Sequence, residues 1–324
     1  MAPTGLRIDV WDVGQGDCTV ITLPDGSLFL IDVGPLNSPV ISWLDQRRDL
    51  RITCVALTHN DADHCGALTP LIEVTAGRLS RIVALKEPQR TQAQFISLFR
   101  RAIELQKAGK LDISRLEAPM ELWRDPQSNT SLEVVFPNMI GVELARSKNE
   151  SSAIIILRCD GKILAVWPGD NLVKRVAENI DGNHPFFMMG PHHGCPQDGK
   201  KSEARQHLDR INPKHVLVSV GSNNRYNHPS QKYIKSAIAR LSHVACTQIT
   251  RQCDPSRAEA QRPIMDGSSL LGLRPCPSGT PCRGSMRFNL INGELVPDQW
   301  HQRHQDRVNL LRRPLCKERP TNHR

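Results

Sequence analysis

Short apolar runs broken by turn residues dominate the first part of the chain. "LRIDVWDV" and "CTVITL" are rich in β-formers and read as strands, and "PDG" at 24–26 reads as the turn into "SLFLID". "SPVISWLDQRRD" has helical spacing, whereas "RITCVAL" is short, β-branched and apolar, the pattern of a buried strand. A polar loop follows, then a helical pattern in "ALTPLIEVT", a strand in "RIVAL" and the longest helix candidate, Gln89 to Lys110. After a less regular middle, "SSAIIILRCDGKILAVW" predicts a hairpin turning at Asp160-Gly161.

Strand and helix alternate from there. "FFMMG", "HVLVSV" and "VACTQIT" are strands, separated by helices near Ser202 to Arg210 and Gln231 to Leu241. Residues 251–283 shift to Pro, Ser, Cys and Gly and read as an insertion, and "SMRFNLINGELV" returns to hairpin patterning around Asn292-Gly293. Antiparallel strands followed by strand–helix alternation predict an α/β domain of two sheets covered by helices, over 1–298, followed by a tail at 299–324.

Composition narrows the class. With 324 residues, 39% hydrophobic and 23% charged, the chain can bury a large core. No apolar run approaches the roughly 18–20 residues of a membrane span, so no membrane partner is expected. The N-terminus lacks a basic segment leading into an apolar one, so no signal peptide is expected and the default compartment is cytoplasmic. Ten cysteines in that compartment argue for buried thiols or metal ligands rather than disulfides. The net charge of +9 favours polyanionic partners, although the tail contributes seven basic against two acidic residues. Aromatics at 4% argue against a stacking platform for single strands.

The candidate chemistry sits at strand ends. "LTHNDADHCGA" follows "RITCVAL" and places His59, Asp61, Asp63 and His64 within six residues. Alternate residues of an extended loop face one way, so His59, Asp61 and Asp63 can share a direction while His64 offers a second. Imidazole with carboxylate suits Zn²⁺, Mn²⁺ or Fe²⁺. Asp170 in "VWPGDN" and the pair His192 and His193 in "MMGPHHGC" also follow apolar strands. A two-metal centre needs a bridging carboxylate, for which Asp170 is the candidate. His228 in "NRYNHPS" could bind a phosphate or protonate a leaving oxygen.

The loop resembles the metal-binding motif HxHxDH of the metallo-β-lactamase superfamily, with Asp61 replacing its second His. "VGQGDCTVITLPDGSLFLIDVG", "LTHNDADHCGAL", "NESSAIIILRCDGKILAVWPGD", "PHHGC" and "SVGSNNRYNHPS" resemble, in order, the hydrolase domain of the ComEC/Rec2-type DNA-uptake proteins, over about Leu6 to Thr250. The resemblance implies a four-layer αββα sandwich. It implies His59 and Asp61 on one metal, Asp63 and His64 on the second, Asp170 between them and His192/His193 closing the site. Asp17 would order the adjacent loop, where Gly14 and Gly16 allow a tight turn. Asn149 and Ser152 fall where many members place a further ligand His, and are assigned to substrate. Asp63 and His228 are the catalytic candidates.

The implied reaction is attack on a phosphodiester by a hydroxide bridging two divalent ions, Zn²⁺ or alternatively Mn²⁺, with nucleic acid as substrate. A hydrolase of a small ester, lactone or nucleotide is one alternative. A metal-stabilised module working with protein partners in a multi-component bacterial system is the other. A second constellation, Cys246, Cys253, Cys276 and Cys282, brackets the insertion and suggests an additional structural zinc stapling it.

Overall fold

The computed structural model describes residues 5–85, 92–143, 145, 147–180, 182–195, 201–240, 242–253, 267–299, 304, 308, 311 and 314–316. The middle of the predicted insertion (254–266) and most of the basic tail lie outside the described residues.

The first half supplies β1 (Arg7–Val10), β2 (Thr19–Thr22), β3 (Leu28–Ile31), β4 (Ile52–Leu57), β5 (Arg81–Ala84) and β6 (Asp112–Arg115). The second supplies β7 (Met120–Asp125), β8 (Thr130–Phe136), β9 (Ile154–Cys159), β10 (Lys162–Trp167), β11 (Phe187–Met189), β12 (His215–Val218) and β13 (His243–Cys246). β14 (Met286–Ile291) and β15 (Glu294–Pro297) form the closing hairpin. One sheet has the order β15-β14-β1-β2-β3-β4-β5-β6 and the other β13-β12-β11-β10-β9-β8-β7. Each sheet is mixed. β3 to β6 run parallel, as do β10 to β13, and the remaining pairs are antiparallel.

Alternation along the strands builds the layers. In β9, Ile155 and Leu157 enter the core between the sheets with Phe29, Ile31, Trp167 and Phe187, while Ile154 and Ile156 face out onto Val173, Val176, Tyr233 and Ile234. In β3, Leu28 and Leu30 face the opposite way onto Trp43, Leu44, Leu68 and Leu71. Helices therefore cover the outer face of each sheet, giving the expected αββα sandwich. Strands buried on both faces need apolar residues at consecutive positions, which is why "AIIIL" and "LFLI" are continuous rather than alternating. Each such side chain contributes roughly 1.5–3 kcal/mol by leaving water.

The long predicted helix spans Gln92–Lys107 and the two later ones Lys201–Ile211 and Gln231–Ile238. The irregular middle holds β6, β7 and β8. β6 is short, lies at a sheet edge and carries mainly polar residues, so its period is unreadable. Among the described residues of the tail, His304, Val308, Leu311 and Cys316 are buried. Among the described residues, no helix is long and apolar enough to cross a membrane.

Candidate metal centre

Parallel strands of both sheets end on one side of the sandwich, and the loops leaving them carry the candidate ligands. Ligands in open α/β sheets collect at such carboxyl ends. β3 leads to Asp32, β4 to His59, β10 to Asp170, β11 to His192 and His193, and β12 to His228.

The β4 loop is built to hold two imidazoles. Asn60 Nδ2 donates to Leu85 O at 2.8 Å and anchors the loop beyond β5. Asp32 accepts hydrogen bonds from Thr58 N at 2.8 Å and Thr58 Oγ1 at 2.7 Å. The same carboxylate takes His64 Nδ1 at 2.8 Å, which leaves Nε2 for the site. His59 and His64 are fully buried, with ring centroids 4.0 Å apart.

Asp170 divides the cluster into two halves. Its Oδ2 faces His59 Nε2 at 3.6 Å and His192 Nε2 at 3.5 Å. Its Oδ1 faces His64 Nε2 at 3.2 Å and His193 Nε2 at 3.7 Å. His193 Nε2 also meets Asp63 Oδ2 at 3.2 Å, while its Nδ1 donates to Ser219 O at 2.9 Å. Neighbouring residues reach opposite sides because both His192 (φ 48°) and His193 (φ 53°) adopt left-handed backbone. That conformation is costly outside glycine and persists where surrounding structure imposes it, typically at functional sites. Asp17 lies 3.7 Å from His193 Nδ1. Ligand atoms of Asp17, His64 and His193, and of His59, Asp63 and His64, fall within 4.8 Å of one another.

Two glycines permit this approach. A Cβ on Gly16 (φ +141°) would meet Asp63 O at 2.2 Å, and one on Gly169 (φ +52°) would meet Thr58 Oγ1 at 2.8 Å.

The donor set fits divalent ions. Buried His59 Nε2, His64 Nε2 and Asp170 Oδ1 make no contact of hydrogen-bond geometry, although all three point into the same space. The charges are arranged for a cation as well. Burial alone would lower the His64 pKa, but Asp170 and Asp32 carry it well above its ordinary value. Burial is likewise overcome at His193, which Asp170, Asp63 and Asp17 raise to about 9. Against burial, His64, His193 and His59 hold Asp170 well below the carboxylate range. Protons are retained here because carboxylates face the rings, and a metal ion would replace them.

The remaining candidates occupy the rim. Asp61 makes an ion pair with Lys148 and stands outside both ligand groups. Ser152 is buried between Thr58 and Gly169, and its carbonyl accepts from Asn171 Nδ2 at 2.6 Å. Asn149 opens a single helical turn, Asn149–Ser151, directly after Lys148. His228 packs at 5.1 Å from the His192 ring, and burial together with His193 and His192 pushes it down to about 4. Asn224 fixes its loop, accepting from His228 N at 2.8 Å and donating to His228 O at 2.9 Å. Beside it, exposed Arg225 donates to Tyr226 OH at 2.8 Å.

Sequence reasoning assigned no role to Asp32 or Lys148. Asp32 had a signal, an acid directly after an apolar strand, but its partner is 32 positions away. Of the bracketing cysteines, Cys246, Cys253 and Cys282 are buried in one cluster, whereas Cys276 stands apart, 3.5 Å from Ser278 Oγ on the loop near Gly14. All ten cysteines are free thiols.

A family model described as the metallo-beta-lactamase superfamily matches residues 11–199. ComE operon protein 3 of Bacillus subtilis is 22% identical over 257 residues, 71% of this chain, and the match spans 30% of that relative's length. Among solved structures, the metallo-beta-lactamase fold protein YhfI of Bacillus subtilis is 13% identical with TM-score 0.45, covering 74% of this chain and 95% of that one. Igni18, a metallo hydrolase of the archaeon Ignicoccus hospitalis, is 14% identical with TM-score 0.43, covering 74% and 94%. A long-form RNase Z from yeast is 10% identical with TM-score 0.41, covering 71% and 39%.

Proposed function

This chain belongs to the metallo-beta-lactamase superfamily, and we propose that it is a metal-dependent hydrolase of phosphodiesters, with nucleic acid as its substrate class. The observation that carries the reading is the division of four imidazoles about the two oxygens of Asp170, with Asp63 against His193.

His59 and His192 with Asp170 Oδ2 would hold one divalent ion; Asp63, His64 and His193 with Asp170 Oδ1 would hold the second. Zn²⁺ suits this donor set, and Mn²⁺ is the alternative because carboxylates are prominent. Two bound ions supply Lewis-acid charge and an acidified water. Asp61, engaged by Lys148, belongs to the rim in this reading rather than to the first metal.

The chain's own residues then divide the work. Asp32 orients His64, and Ser219 orients His193 through its carbonyl. Lys148 and Arg225 place positive charge on the approach, where a phosphate chain would run. His228, buried and held near its neutral form, contacts the phosphoryl group or its leaving oxygen from beside His192. Asn149, next to Lys148, lies on the same approach. Neutral esters or lactones would make no use of these rim cations.

A digest of single- and double-stranded DNA, RNA and a chromogenic phosphodiester in added Zn²⁺ or Mn²⁺ tests the reading. Cleavage of at least one, lost on chelation, is the expected result. No cleavage by protein with both metals bound would transfer the case to small esters or a binding module.

A further inference from the structure

Four buried thiols belong to one apolar cluster on the outer face of the second sheet, apart from the centre described above. Cys246 ends β13, and Cys253 lies in the turn that follows it. The two thiols interact, each shifting the other's ionisation. Cys282 comes from the returning segment, which is zipped against the end of β13: Cys282 N donates to Thr247 O and Arg283 N to Cys246 O, both at 2.9 Å. Cys316 arrives from the C-terminal tail. All four are 2–4% exposed and share one cluster with Val308 and Leu311. His304 adds an imidazole, with Nε2 at 3.4 Å from Cys282 Sγ.

We propose that Cys246, Cys253, Cys282 and Cys316 form a structural zinc site that pins the C-terminal tail and the returning segment to the end of β13, with His304 donating to the Cys282 thiolate. Sulfur is the preferred donor of closed, four-coordinate structural zinc sites. The four positions come from three separate stretches of chain: β13 with the turn after it, the returning segment and the tail. A shared ion would therefore cross-link segments distant in sequence, and its binding energy would become folding energy. The arrangement also assigns a purpose to the tail's buried positions. Cys276, despite its place in the sequence pattern, is excluded because its thiol faces Ser278.

The test uses the full-length chain carrying Asp63→Ala and His64→Ala, which removes ligands of the His/Asp centre and isolates the thiol site. After dialysis against a chelator, elemental analysis should find one zinc per chain, released in step with mercurial modification of four thiols. Cys316→Ser in that background should lose the zinc, and Cys276→Ser should keep it. Cobalt-substituted wild-type protein should show a thiolate-to-cobalt charge-transfer band and intense tetrahedral visible bands; this measurement needs no variant to fold. A cobalt spectrum without the sulfur band would overturn the site. So would a folded isolating variant that retains no zinc, or loss of zinc in Cys276→Ser with retention in Cys316→Ser.

Discussion

Asp32 receives His64 Nδ1 at 2.8 Å, and the opposite nitrogen of that ring meets Asp170 Oδ1 at 3.2 Å. A buried carboxylate thus fixes the ring's tautomer and aims Nε2 at the proposed metal. Partners of this kind typically set metal affinity by about 10–100-fold. Asp32→Ala should reduce affinity at the second metal position by that factor, read by competition with a chromogenic chelator. Unchanged affinity would reduce Asp32 to a brace for Thr58.

Asp170 touches both halves of the centre, so its loss should be worse than the loss of any single neighbour. Asp170→Ala should abolish turnover and lower bound metal while circular dichroism remains native. His228→Ala should slow turnover by about 10²–10⁴-fold with metal content unchanged. Metal loss in the latter would make His228 a ligand rather than a substrate contact.

Lys148 and Asp61 form an ion pair in which the lysine side chain remains 43% exposed. Exposed pairs contribute only about 0–1 kcal/mol. Lys148→Ala should therefore leave the melting temperature nearly unchanged while raising KM for a polyanionic substrate and flattening its salt dependence. Equal KM values in both proteins would place the substrate elsewhere.

Gly16 has no room for a side chain, since a Cβ would meet Asp63 O at 2.2 Å and Pro35 Cδ at 3.0 Å. Both contacts involve groups that cannot swing away. Gly16→Ala should cost roughly 1–3 kcal/mol in backbone strain and displace Asp63, lowering metal content together with stability. Denaturant unfolding and elemental analysis check the pair of effects.

Burial, and then Arg283, push His243 down to about 4. In the unfolded chain the ring takes its proton near the ordinary value of about 6.5. Between those values the unfolded state binds more protons, so stability falls as pH drops through about 6.5 to 4 and levels off below. His243→Gln should lose roughly 1–3 kcal/mol less stability than the wild type between pH 7.5 and 4.5. Parallel curves in urea for the two proteins would show that His243 does not titrate with folding.

Local chemistry made much of this molecule legible in its amino-acid order. Strands such as β4 and β9 are contiguous apolar runs, the hairpin at Asp160-Gly161 is written in two adjacent residues, and the ligands follow strands directly. The αββα layering and the involvement of His59, Asp63, His64, Asp170 and the His pair in one cluster follow from such short-range signals and family resemblance. Tertiary structure decided the rest, because those relationships join residues that sequence spacing does not relate. The left-handed backbone at His192 and His193 sends one ring to each side of Asp170, and an HH dipeptide carries no mark of it. Asp61 is drawn to Lys148, 87 positions away, by charge that only the folded chain brings near. Cys316 packs with Cys246, Cys253 and Cys282 while Cys276 turns to Ser278, since burial in a shared core selects thiols by position in space.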